Sequence, residues 1–142
     1  MKYFIIAGEA SGDLHGSNLM KALREKDPQA RFVGLGGDKM RAEGCDIKVD
    51  YRDMAYMGFV AVLANIHKVK RNLSTARAAL LQEKPDVLIL IDYPSFNLRI
   101  ARFCYEQLPK TRIIYYIPPK IWAWKEWRVH KIAQYADEIL GI

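Results

Sequence analysis

The chain has 142 residues, enough for one domain with its own core, and its 51% apolar and 27% charged residues match an ordinary globular protein. No apolar run approaches the roughly 18 residues of a membrane-spanning helix, and the apolar start Tyr3–Ala7 is too short for a secretory signal core. The formal net charge of +6 is unevenly placed, because residues 110–131 hold six Lys or Arg against a single Glu, together with all three tryptophans.

In chain order, Tyr3–Ala7 reads as a strand and leads into AGEASGDLHG, residues 7–16. Gly8, Gly12 and Gly16 let a backbone turn sharply and approach a ligand closely, and the N–H groups of a helix starting near Ser11–Asp13 face the same crevice. The spacing is G-x-x-x-G-x-x-x-G and so departs from the dinucleotide fingerprint G-x-G-x-x-G. The alternative is that Ser11 and Asp13 are helix caps and His15 a surface residue. A helix follows over Leu14–Lys26, then short strands over Arg31–Leu35 and Asp46–Val49. Cys45 and Cys104 match no metal or redox spacing and read as two reduced, buried thiols. The three histidines, His15, His67 and His130, are scattered and outline no metal site.

Residues Gly58–Glu83 read as a long helix, with Phe59, Val62, Leu63, Ile66, Val69, Leu73, Ala76 and Leu80 on one stripe. Such a stripe normally covers a sheet. Yet Met54, Met57 and Val60 point elsewhere, Lys70 falls on the stripe, and Lys68 and Arg71 lie nearby. The first half therefore also fits an apolar patch with a basic fringe, resting on an anionic membrane. The strand Asp86–Ile91 is the most apolar of the chain and closes on Asp92. A carboxylate there is partly desolvated and usable as a general base; alternatively it caps the next helix, Leu98–Gln107, with Pro94 and Asn97 shaping its entry. The strand Arg112–Ile117 then runs into PPKIWAWKEWRVHKI, where Trp122, Trp124 and Trp127 stand among Lys120, Lys125, Arg128 and Lys131. Flat apolar walls with cations nearby suit a sugar phosphate or a lipid headgroup; a solvated basic helix beside core aromatics is the alternative. A helix over Lys125–Ala136 and a strand over Glu138–Gly141 end the chain without a closing helix. Alternating strands and helices, the strands continuously apolar, give a doubly wound, mostly parallel Rossmann-like α/β sheet.

Taken in order, these segments resemble the lipid-A-disaccharide synthases. AGEASGDLHG is similar to the family's opening A-G-E-x-S-G-D, GLGGDKMRAEGC to its second-strand segment, and YMGFVAVL to M-G-x-x-E-V-L. IDYPSFNLRIA is similar to I-D-x-P-D-F-N, and YYIPPKIWAWKEWRVHKI to Y-x-S-P-x-x-W-A-W-x-x-x-R-x-x-K-I. The resemblance implies that residues 1–142 are the N-terminal, acceptor-binding lobe of a two-lobed GT-B-type glycosyltransferase whose donor lobe lies beyond them. It implies an inverting transfer from UDP-2,3-diacylglucosamine to 2,3-diacylglucosamine 1-phosphate, giving a β-1′,6-linked disaccharide and UDP. By the same carry-over Asp92 is the catalytic base. Gly8, Glu9, Ser11, Gly12, Asp13, Asn97 and Trp122 contact substrate, and Met57, Phe59, Val62, Leu63 and Ile66 form the acyl-chain or membrane patch. No metal or other cofactor and no nucleic-acid partner is implied, and the place implied is the cytoplasmic face of the inner membrane. The chain departs from the motifs at Ala61, Ser95 and Pro118, and Ser95 removes a second carboxylate from the Asp92 loop. Two other readings remain: a lobe of a related sugar-nucleotide epimerase, and a non-catalytic Rossmann-like module that docks on anionic membranes.

Overall fold

The computed structural model describes residues 1–54, 66–92, 94–117 and 134–141. In chain order the elements are β1 (Lys2–Ala7), α1 (Ala10–Lys26), β2 (Arg31–Gly36), α2 (Asp38–Ala42), β3 (Asp46–Asp50) and a single 3-10 turn (Tyr51–Asp53). They continue with α3 (Ile66–Glu83), β4 (Val87–Ile91), α4 (Pro94–Gln107), β5 (Arg112–Ile117) and β6 (Glu138–Gly141). Each strand lies within one residue of its sequence-based bounds. The strands form one sheet in the order β3-β2-β1-β4-β5-β6, and every pairing is parallel. The strand order reverses between β1 and β4, so the topological switch point lies there.

The continuous apolar runs are explained by cover on both faces. Phe4, Ile6, Leu35, Leu88, Leu90 and Tyr115 pack with Leu73, Ala76 and Leu80 of α3 and with Phe96, Ile100 and Cys104 of α4. Tyr3, Ile5, Ala7, Phe32, Ile89 and Ile91 meet Met20 of α1 and Met40 of α2 on the opposite face. Gly34 admits no side chain, since a Cβ there would sit 1.9 Å from the Ile5 carbonyl oxygen of the neighbouring strand.

The helices differ from the sequence reading in four places, the first being α4, which begins at Pro94 instead of Leu98 and so takes in the residues expected only to shape its entry. Helix α1 begins at Ala10 instead of Leu14, with Gly12 inside its first turn. The second glycine-rich segment adds the short α2, for which no helix was expected. Gln134 and Tyr135 form a turn instead of ending a helix at Ala136. There the Asp137 carboxylate accepts the Ile113 N–H at 2.6 Å and draws the chain into pairing with β5. Along α3, Leu73, Ala76 and Leu80 are buried and Val69 packs against the same core, as the sheet-covering reading requires. Lys70 is exposed, not part of the buried stripe, Ile66 is 43% exposed, and Met54, expected to point away from the sheet, is fully buried in the core with Leu73 and Leu80. The rest of that expected helix, with Met57, Phe59, Val60, Val62 and Leu63, lies outside the described residues. So does the tryptophan segment, with Trp122, Trp124, Trp127 and its basic residues.

Candidate active site

Strand register brings three chain segments to one edge. Ala7 is level with Ile91 across β1 and β4, and Ile91 is level with Tyr116 across β4 and β5. Gly8–Ser11 and Asp92 therefore leave the sheet side by side at the switch point, where open α/β sheets hold their ligands. Helices α1 and α4 both start here, on opposite faces of the sheet. The N–H groups of their first turns, which have no intrahelical acceptor, give this edge a positive field. Pro94 opens α4, a position where its missing N–H leaves no gap in the helix.

Glu9 is the N-cap of α1, makes no side-chain capping bond, and the Asp13 N–H donates to its carbonyl at 2.9 Å. Glu9 and Ser11 are exposed at the edge, whereas Gly8 is buried. Gly12 and Gly16 are tight packing points. A Cβ on Gly12 would lie 3.1 Å from the Ala7 Cβ and 3.6 Å from Ile91 Cγ2, and one on Gly16 would lie 2.8 Å from Met40 Sδ. These two glycines let α1 lie close against the sheet and α2.

Asp13 also has a role the sequence reading did not foresee. Its side chain is 3% exposed, and it caps no turn of its own helix. Oδ1 accepts the N–H of Gly37 at 2.9 Å and of Met40 at 3.1 Å, while Oδ2 accepts that of Lys39 at 3.1 Å. One carboxylate thus ties the first turn of α1 to the start of α2, and the two glycine-rich segments become one unit. Gly37 is the tight point of that contact, since a Cβ there would meet the Tyr51 ring at 2.3 Å and Asp13 Oδ2 at 3.0 Å. Beyond it lies a surface charge cluster: Arg52 and Arg41 each bridge Asp38 and Asp50. Hydrogen bonding to Arg52 is the largest influence holding the Asp38 carboxyl below its ordinary range.

Asp92 has φ +46, the left-handed region that non-glycine residues enter at a cost of roughly 1–2 kcal/mol. Its N–H donates to the Tyr116 carbonyl at 3.1 Å. Its carbonyl accepts the Tyr115 hydroxyl at 2.7 Å and, from the other side of the turn, the Asn97 Nδ2. The same Nδ2 lies 3.3 Å from the Ile91 carbonyl. A sharp strand-to-helix turn held in this way presents its residue at the top of the sheet, the geometry that α/β enzymes use to expose a reactive side chain. The His15 ring stands edge-on to Tyr116, with centroids 6.2 Å apart, so α1 reaches across to the end of β5.

The structure thus brings together Gly8, Glu9, Ser11, Asp92 and Asn97, and sets Gly12 and Asp13 just behind them; Trp122 and the side chain of Ser95 are not described. Tyr115 was missed as a site residue, since nothing in its sequence surroundings marks a hydroxyl that bonds a main-chain carbonyl 23 residues away. Cys45 and Cys104 are free and buried, as expected, and burial pushes both thiols up to about 12. Among the described residues no group of three His, Cys, Asp or Glu could hold a metal ion, and no helix is long and apolar enough to cross a membrane.

Comparison with known proteins adds to this geometry. The family model described as lipid-A-disaccharide synthetase matches residues 3–142. A lipid-A-disaccharide synthase of Trichlorobacter lovleyi is 42% identical over 141 residues, covering 99% of this chain and 36% of that protein. One of Geobacter metallireducens is 44% identical over 138 residues, covering 97% and 35%; one of Xanthomonas campestris is 43% identical over 136 residues, covering 96% and 31%. The chain spans about a third of the length of the curated relatives it matches. Among solved structures, glucose-6-phosphate 1-dehydrogenase from Mycobacterium avium superposes with a TM-score of 0.54 at 12% identity, over 99% of this chain and 35% of that one. That likeness is one of fold alone.

Proposed function

The chain belongs to the lipid-A-disaccharide synthetase family, and from that premise we propose that it is the acceptor-binding lobe of an inverting glycosyltransferase of lipid A synthesis. A second lobe, beyond these residues, binds the UDP-sugar donor. The acceptor is an acylated glucosamine 1-phosphate and the donor UDP-2,3-diacylglucosamine. The acceptor lies along the switch point, its sugar near Gly8, Glu9 and Ser11, with Trp122 as a further contact, while Asn97 stands buried behind the Asp92 turn. Gly12 and Asp13 hold the floor in shape from behind.

The observation that carries the reading is Asp92, a carboxylate placed by a left-handed turn at the switch point beside the glycine-rich segment. In the proposed step the Asp92 carboxylate takes the proton of the acceptor 6-hydroxyl. That oxygen forms a bond to the donor's anomeric carbon from the face opposite UDP. The bond between the anomeric carbon and the UDP oxygen breaks, and UDP departs with the electron pair. Inversion at that carbon gives the β-linkage. Closure of the two lobes supplies the positioning and excludes water. A membrane contact is part of the proposal: Met57, Phe59, Val62, Leu63 and Ile66 face the acyl chains, and the exposure of Ile66, Lys70 and Arg71 at the start of α3 supports it.

In the full-length two-lobed enzyme, Asp92→Asn keeps the shape of the side chain and removes its basicity. Turnover should fall by about 10²–10⁴, the usual size of a general-base contribution, with KM for both substrates little changed. Wild-type turnover in this variant would remove Asp92 from the mechanism.

A further inference from the structure

Two buried side chains converge on one main-chain atom, the carbonyl oxygen of Asp92. Tyr115, 1% exposed, donates its hydroxyl to it at 2.7 Å. Asn97, 0% exposed, donates Nδ2 to the same oxygen and lies 3.3 Å from the carbonyl of Ile91. The N–H of Asp92 is fixed in turn by the Tyr116 carbonyl at 3.1 Å. Both peptide planes that flank the Asp92 Cα are therefore held, one by the sheet and one by two side chains.

The other end of the Asn97 amide is informative. Its Oδ1 is buried and meets no donor among the described residues. An unpaired buried acceptor is unfavourable, so the residue is explained by what its Nδ2 end does, which is to clamp the carbonyls of Ile91 and Asp92. Tyr115 makes the same point from another element. It is the largest fully buried side chain described, and a phenylalanine would fill that core position without bringing a hydroxyl that needs a partner.

We propose that Tyr115 and Asn97 are positioning residues: together they hold the Asp92 turn in its left-handed conformation and so fix where the base stands relative to the acceptor hydroxyl. Neither need touch substrate to do this. For Asn97 this replaces substrate contact as the main role. The proposal rests on the reading of Asp92 as the base. A reacting pair must be held within a fraction of an ångström, and a small displacement costs rate more than binding.

The test is a set of variants in the full-length enzyme, assayed well below each melting midpoint: Tyr115→Phe, Asn97→Ala, Asp92→Asn, and the doubles Asp92→Asn/Tyr115→Phe and Asp92→Asn/Asn97→Ala. Tyr115→Phe removes a single oxygen. It should lower kcat by about tenfold or more with KM for both substrates within about twofold, and Asn97→Ala should behave likewise. In the Asp92→Asn background neither change should lower kcat further, because the group they position is gone. A merely structural role would lower the melting midpoint and leave kcat at low temperature unchanged. If Asp92→Asn is inactive while Tyr115→Phe and Asn97→Ala turn over like wild type, the positioning proposal is overturned and the base reading stands. It is equally overturned if both changes lower kcat to the same extent with or without Asp92. Wild-type turnover by Asp92→Asn removes the base reading, and the positioning role with it.

Discussion

Asp13 shows how far a single residue's role can lie from its sequence surroundings. As the fourth residue of α1, in a segment crowded with glycine and serine, it reads as a cap or a ligand contact. Its three partners are backbone N–H groups 24, 26 and 27 residues away, and main-chain donors leave no trace in residue identity. That is why the link was illegible. Asp13→Ala would strand these N–H groups, two of them in buried bonds. We expect a loss of about 3 kcal/mol or more, a fall of roughly 10 °C in melting midpoint for a chain of this size. A thermal melt checks it, and a midpoint within about 2 °C of wild type would show that water replaces the carboxylate without penalty. For Asp92, by contrast, the sequence shows its place at the end of an apolar strand but leaves base and helix cap open, and the proposed base role comes from the family resemblance. Its left-handed backbone was not legible, since its main-chain partners, Tyr115, Asn97 and Tyr116, lie outside the turn.

At the scale of elements, the strands were readable because a parallel sheet covered on both faces demands unbroken apolar runs, as in Val87–Ile91, where all five residues are buried. Helix α1 was read short for a related reason. Gly12 disfavours a helix by propensity, and the closeness of Ala7 and Ile91 explains why it stands inside one. The glycines also differ in what a methyl group would meet. Gly34→Ala would drive Cβ into the Ile5 carbonyl, and backbone in a sheet cannot step aside. The cost should exceed the about 1–3 kcal/mol typical of overpacking. Gly16→Ala would meet the flexible sulfur end of Met40, and about 1 kcal/mol of helix propensity offsets the crowding. Parallel denaturant melts should find Gly16→Ala near wild type and Gly34→Ala severely destabilised or insoluble; similar stabilities would mean that β1 and β2 are not packed as described.

For the whole molecule, the strand order is what turns scattered motifs into one site. Residues 7–16 and 91–97 are some 80 positions apart in sequence and become neighbours because β1 and β4 pair across the switch point. The alternation of strands and helices foretold a doubly wound sheet, but pairing order leaves no local signature. The resemblance to a known family supplied what periodicity could not. In the proposed function the switch point holds the sugar-phosphate acceptor, and the nucleotide of the donor binds elsewhere. Amide chemical-shift mapping on the 142-residue chain, titrated in parallel with 2,3-diacylglucosamine 1-phosphate and with UDP, tests this directly. The acceptor should shift Gly8–Asp13 and Ile91–Asn97 while UDP leaves those residues unmoved. UDP binding at Gly8–Asp13, with no response to the acceptor, would contradict this placement.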